Sequence, residues 1–85
     1  MEIPEREYTI LDNLDPKYKY IARDENGDLN VYETKPTKCV GKGYWDSDAF
    51  CSLNPFKQNF EWVKWTDVQA QKISDILILG ELALC

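Results

Sequence analysis

Residues 18–35 read Tyr18-Lys19-Tyr20-Ile21-Ala22-Arg23-Asp24-Glu25-Asn26-Gly27-Asp28-Leu29-Asn30-Val31-Tyr32-Glu33-Thr34-Lys35. Two short aromatic and β-branched segments flank Asp24-Glu25-Asn26-Gly27, the pattern of a β-hairpin. The turn chemistry fixes the register. Asp24 opens a type I turn and Gly27 closes it in the left-handed region, giving a three-residue loop with a bulge. Asp24 then faces Asp28. One face carries Ile21 opposite Val31, Arg23 opposite Leu29 and Lys19 opposite Glu33. The other carries Tyr20 opposite Tyr32 and Ala22 opposite Asn30. The competing two-residue Asn26-Gly27 turn would set Tyr20 against Glu33 and Ile21 against Tyr32. Cross-strand pairs contribute roughly 0.2–1 kcal/mol each, and the bulged register combines aromatic, aliphatic and ionic pairs.

Upstream, Pro4 followed by Glu5 and Glu7 forms a first helical turn, because proline tolerates that position and carboxylates favour the positive helix end. Tyr8, Leu11 and Leu14 line one face, and Asp15-Pro16 stops the helix. Downstream, Lys35-Pro36 ends the second strand. Cys39-Val40 and Tyr44-Trp45 fit a third strand bent at Gly41 and Gly43, and residues 46–58 read as a loop around Phe50, Leu53 and Phe56. Phe60 to Trp65 alternates with apolar residues on both faces, as expected of a central strand. Thr66-Asp67-Val68-Gln69 matches a capping box, opening a helix whose face collects Ile73, Ile76, Leu77 and Gly80. The run Ile76–Leu79 also fits a strand, since a short apolar run does not decide by period.

The predicted fold is α+β. A small antiparallel sheet of three to four strands combines hairpin 18–35 with strands near 38–45 and 59–65, between an N-terminal and a C-terminal helix. At 85 residues this is one domain, residues 1–85, with 81–85 expected as a disordered tail. Aromatic residues make up 13% of the chain, and all but Tyr8 lie between Tyr18 and Trp65, so the core belongs there.

Ten basic and 15 acidic residues give a net charge of −5. The basic residues are scattered, without the stripe of a nucleic-acid binder. Cys39, Cys51 and Cys85 are an odd count with no CxxC spacing, which argues against a disulfide framework. The N-terminal residues lack the apolar core of a signal peptide, and the run Ile76–Leu79 is far too short to span a bilayer. The expected setting is cytoplasmic, with reduced thiols and no membrane.

Catalytic chemistry finds little support. The chain has no histidine, the commonest general base and metal ligand. Ser47, Ser52 and Ser74 sit in no nucleophile motif, and no cysteine has an activating partner. The carboxylate pairs Asp46 with Asp48 and Asp24 with Asp28 read as turn formers and solvated charges. Asp24-x-Asn26-x-Asp28 copies the start of a calcium loop, then fails with Leu29 at position six and Lys35 at position twelve. Cys39 and Cys51 lack a second ligand pair for zinc, and Gly41-x-Gly43 lacks the context of a phosphate loop. No enzyme activity, metal or cofactor is expected.

The segments Tyr18–Asp24 through Gly27, Val31-Tyr32, Lys35-Pro36, Tyr44-Trp45, Phe60 through Asp67 and Ile73–Leu77 resemble small uncharacterised proteins from phages and prophages of Gram-positive bacteria. YKYIARDENG and VKW are the most distinctive pieces. The resemblance implies an accessory protein acting in the host cytoplasm, and it assigns no functional residues. The residues themselves point to binding of a host or phage protein through an aromatic or acidic surface, with Tyr20, Tyr32, Tyr44, Trp45, Asp46 and Asp48 as candidates. Two alternatives come from other classes. One is a nucleic-acid-associated regulator in replication, which needs a local basic face and steep salt dependence. The other is a self-assembling component, a homodimer through the apolar C-terminal segment.

Overall fold

In the computed structural model, which describes residues 3–84 and side chains through residue 81, the hairpin forms in the bulged register. Strand β1 (Tyr20–Arg23) pairs antiparallel with β2 (Leu29–Tyr32), setting Tyr20 opposite Tyr32, Ile21 opposite Val31, Ala22 opposite Asn30 and Arg23 opposite Leu29. Gly27 sits at φ 97°, a conformation that side chains disfavour. Its N–H donates to the Asp24 carbonyl at 3.0 Å, and the Asp24 N–H donates to the Asp28 carbonyl at 2.8 Å. Asn26 Nδ2 and Asn54 Nδ2 donate to the two oxygens of Asp28, so the turn's polar groups are used to hold the turn.

Helix α1 (Glu5–Asp12) precedes the hairpin, with Leu11 buried and Tyr8 and Leu14 half-buried. It ends before Asp15-Pro16 because the Asn13 N–H and side-chain amide both return to the Thr9 carbonyl, at 3.1 and 2.8 Å. After the hairpin come β3 (Thr37–Cys39), β4 (Tyr44–Asp46), β5 (Phe50–Ser52), a 3-10 turn at Asn54–Phe56, β6 (Gln71–Lys72) and α2 (Ile73–Leu84).

The α+β class and the four-stranded antiparallel sheet agree with the sequence reading, but two of the strands differ. The sheet order is β5-β2-β1-β6, and β3 pairs with β4 in a separate two-stranded sheet. Residues 38–45 are therefore a hairpin, not one bent strand: Gly43, at φ 76°, reverses the chain, and the Lys42 and Gly43 N–H groups both donate to the Cys39 carbonyl. β5 emerges from the expected 46–58 loop and pairs Val31 with Cys51.

Residues 59–65 form no strand. They make a chain of turns in which Phe60 has φ 58°, and side chains from distant elements take up the backbone groups. All five guanidinium N–H groups of Arg23 reach carbonyls: Nε to Val63 (2.8 Å), Nη1 to Gly27 (2.9 Å) and Lys57 (3.0 Å), Nη2 to Asn59 and Phe60 (both 3.0 Å). From α1, the buried Glu7 carboxylate accepts the Phe60 N–H at 2.9 Å and the Trp62 indole N–H at 2.7 Å.

The capping box at Thr66–Gln69 also does not form, and α2 starts at Ile73. Asp67 is used differently, accepting the Lys64 N–H at 3.2 Å and Gln71 Nε2 at 2.9 Å. Residues 73–79 resolve as helix because Ile73 and Ile76 bury one face while Ile78 and Leu79 stay exposed. Where a tail was expected from residue 81, α2 continues to Leu84, and Cys85 lies outside the described residues. Gly80 lets the two helices meet: a Cβ there would run into the Tyr8 ring.

The sheet separates two apolar clusters. On one face Ile21, Leu29 and Val31 pack with Leu11, Phe60, Val63, Ile73 and Ile76 beneath the helices. On the other, Ala22 and Tyr32 pack with Trp45 and Ala70, flanked by Tyr20 and Trp65. Lys38 closes this side: its ammonium lies 4.4 Å from the Trp65 ring centre and donates to the Asp67 carbonyl at 3.0 Å. Such cation–π contacts contribute about 0.5–1 kcal/mol at exposed sites.

Candidate functional site

Of the six candidate residues, the structure places two in the core. Tyr32 is 1% exposed and Trp45 5% exposed. The Trp45 indole donates to the Arg23 carbonyl at 3.0 Å, and its backbone N–H donates to the Asp24 carboxylate at 3.0 Å. These rings hold the β3–β4 hairpin against the main sheet and offer no surface to a partner. Tyr44, Asp46 and Asp48 are exposed on the far side of that hairpin and beyond it. Tyr20 lines a concavity.

Tyr20, Lys35 and Lys72 line both of two adjoining grooves, of about 690 and 520 Å³. The larger runs between α1 and the start of α2, with Leu11, Leu14, Tyr18, Ile73 and Leu77 as apolar walls. The smaller continues along α2 over Ala70, Ile76 and Leu79. Hydrogen bonding fixes the junction: the Ile73 N–H donates to the Lys19 carbonyl at 2.9 Å, and Lys35 Nζ donates to Gln69 Oε1 at 3.1 Å. Lys35 and Lys72 place positive charge at the junction, joined by Lys19 in the larger groove, while Asp12, Asp15 and Glu33 also line the larger groove and Asp75 the smaller.

Lys72 and the α2 wall escaped the sequence reading because the groove joins four elements that share no local motif. Only Tyr20, through its place opposite Tyr32, carried a signal.

The ionisable groups explain structure more readily than reaction. Burial pushes the Asp24 carboxyl above its ordinary range, the Trp45 N–H opposes that shift, and nearby Asp28 adds to it. Asp24 is occupied by Trp45 and by Asn30 Nδ2 at 3.4 Å. Burial also raises Tyr18, with the adjacent Cys51 thiol contributing. Among the described residues no group of three or more acidic, histidine or cysteine side chains converges on a metal position. No helix there is long and apolar enough to cross a membrane.

Protein-family models, curated proteins and solved structures yield no match to this chain. Its reading therefore rests on its own residues.

Tyr32 allows a direct test of the second cluster. Its hydroxyl is buried with no hydrogen-bond partner among the described residues, and burial, then the Asp24 charge, pushes its pKa up to about 12. The Asn30 amide lies near enough to moderate that shift without meeting hydrogen-bond geometry. An unpaired buried hydroxyl is costly, so Tyr32→Phe is expected to raise stability by about 1 kcal/mol. An unfolded tyrosine ionises near about pH 10, and the folded one holds its proton to about 12. Tyr32 thus contributes a constant amount below the lower value, and stability falls as pH rises between the two. Urea titrations of Tyr32→Phe across that window should show a shallower alkaline fall; an unchanged slope would refute the assignment.

Proposed function

We propose that this chain is a non-catalytic binding protein that takes an amphipathic, acidic segment of a host or phage protein into the paired groove around Tyr20. The observation that carries this reading is the junction itself. An apolar groove and a more polar one meet at one tyrosine, and Lys35 and Lys72 line both in a chain of net charge −5. Apolar walls supply burial, and a local positive rim selects acidic residues beside a partner's apolar side chains. Asp12, Asp15 and Glu33 interrupt that rim, so it forms no stripe able to follow a phosphate backbone. The likeness of residues 18–27 and 60–67 to phage and prophage proteins of Gram-positive bacteria supports an accessory role in the host cytoplasm.

The test is capture from a Gram-positive host lysate, followed by titration of the identified partner against variants whose circular dichroism matches the parent. Tyr20→Ala should weaken binding about thirtyfold, as expected of a central aromatic anchor worth about 2 kcal/mol. Lys72→Glu should weaken it further and reduce its salt dependence. Asp46→Asn with Asp48→Asn should leave it unchanged. Loss of binding in the aspartate variant with retention in Tyr20→Ala would overturn the groove in favour of the acidic face. Failure to capture any partner would overturn the binding reading altogether.

A further inference from the structure

The main sheet ends at β5 on one side, and that edge is self-complementary. The Leu53 N–H donates to the Leu29 carbonyl at 2.7 Å, and the Glu33 N–H donates to the Ala49 carbonyl at 3.1 Å. Hydrogen-bonded pairs alternate along an antiparallel ladder. Val31 opposite Cys51 is thus the bonded pair between them, and Cys51 turns its backbone groups toward β2. Phe50 and Ser52 turn theirs outward, where they meet no backbone partner among the described residues. All three residues of β5 are exposed. The strand is short, at three residues, but contains no proline, lysine or other charge to block a free edge.

We infer that this edge pairs with the same edge of a second copy of the chain, antiparallel about a two-fold axis through Cys51. The strand's length selects the register. An axis at Cys51 sets Phe50 against the second copy's Ser52 and the reverse, so every outward N–H and carbonyl of both strands is bonded. An axis at Phe50 would need Asp48 as a partner position, and Asp48 lies in a bend. An axis at Ser52 would need Asn54, which lies in the 3-10 turn. Either leaves half of the outward groups unpaired.

Charge agrees with this choice. No charged residue lies between Asp48 and Lys57, so two acidic copies meet here without like charges in the paired segment. Antiparallel pairing also lays Asp46 and Asp48 of each copy toward the turn that leads to Lys57 in the other. Phe50, 60% exposed, comes within diagonal reach of its counterpart across the axis. The smaller groove lies toward the opposite, β6 edge, so the pair leaves it open, while the larger reaches Tyr18 beside the Cys51 thiol.

The register brings the two exposed Cys51 residues face to face as a non-hydrogen-bonded pair. Their α-carbons then lie about 4.5 Å apart, within the range of about 4.4–6.8 Å that a disulfide tolerates. The test uses the full chain with Cys39→Ser and Cys85→Ser, leaving Cys51 as the single thiol. Diamide takes up the two thiol hydrogens and is reduced to its hydrazine form as the Sγ–Sγ bond joins two chains. A disulfide-linked dimer is expected, with its rate rising with protein concentration. Ser52→Pro removes an outward N–H from each copy and keeps the backbone bonds to β2, but it also removes the hydroxyl that accepts the Asn54 N–H at 3.2 Å, a loss that Ser52→Ala isolates as a control. The proline should slow cross-linking about tenfold, and Phe50→Lys, which sets two cations across the axis, should slow it as well. Thiol reactivity toward a small aromatic disulfide reports that Cys51 remains accessible in each variant. Absence of the Cys51 dimer, or equal rates in the parent and both variants, would overturn the pairing.

Discussion

Arg23→Met should lower the urea midpoint steeply and move the loss of the near-ultraviolet tryptophan signal to much lower denaturant. The Arg23 side chain binds four carbonyls of the 57–63 segment together with the Gly27 carbonyl of the hairpin turn. A guanidinium has five N–H donors in a planar fork, and here every one is used on backbone. Hydrogen bonds to a charged group contribute about 1.5–3 kcal/mol each when measured singly. They are not additive in one group, so a loss of about 4–5 kcal/mol, well below their sum, is the expectation. Small domains hold about 5–15 kcal/mol in total. Arg23→Lys should recover only part of the loss, since an ammonium has three donors and no fork. A lysine variant as stable as the parent would show that charge, not geometry, holds the segment.

This arginine also marks the boundary of what sequence could reveal. The hairpin was legible because its determinants are local: Asp24, Gly27 and the facing pairs all lie within a few residues of the turn. In the hairpin Arg23 reads only as the residue opposite Leu29. Its carbonyl partners lie 34–40 residues downstream, apart from Gly27, and no spacing announces them. The same cause explains the strand expected at 59–65. Phe60, Trp62, Val63 and Trp65 alternate as a strand would, but alternation records only that side chains point two ways. The structure realises it with turns, burying Phe60 and Val63 fully and satisfying the backbone by side chains rather than a ladder. The Thr66 capping box failed for a related reason: Asp67 gains more from the Lys64 N–H and Gln71 than a helix start there would supply. The candidate site was less legible than the fold. Aromatic residues look alike in sequence whether they are core or surface, and Tyr32 and Trp45 proved to be core, while the lysines around Tyr20 come from the residue before β1, the segment after β2 and β6.

Glu7→Ala is expected to cost about 3 kcal/mol and to release the segment from the helix side. The carboxylate accepts one backbone and one indole N–H in a buried position, and removal leaves the Phe60 N–H without a partner, a penalty of about 1–3 kcal/mol in addition to the lost bonds. Glu7→Gln should lose less, because its amide oxygen still accepts one donor while its NH2 faces the other. The decisive comparison is a double-mutant cycle with Trp62→Phe. If the indole is held by Glu7, Trp62→Phe should cost clearly less in the Glu7→Ala background than in the parent. Equal costs would mean that ring packing against Phe60, at 5.9 Å between centres, supports Trp62 without the carboxylate. Because Arg23 grips the carbonyls and Glu7 an N–H of the same turns, Arg23→Lys and Glu7→Ala should also fall short of additivity. Once either contact is lost, the segment loosens and the other has less fixed geometry to hold.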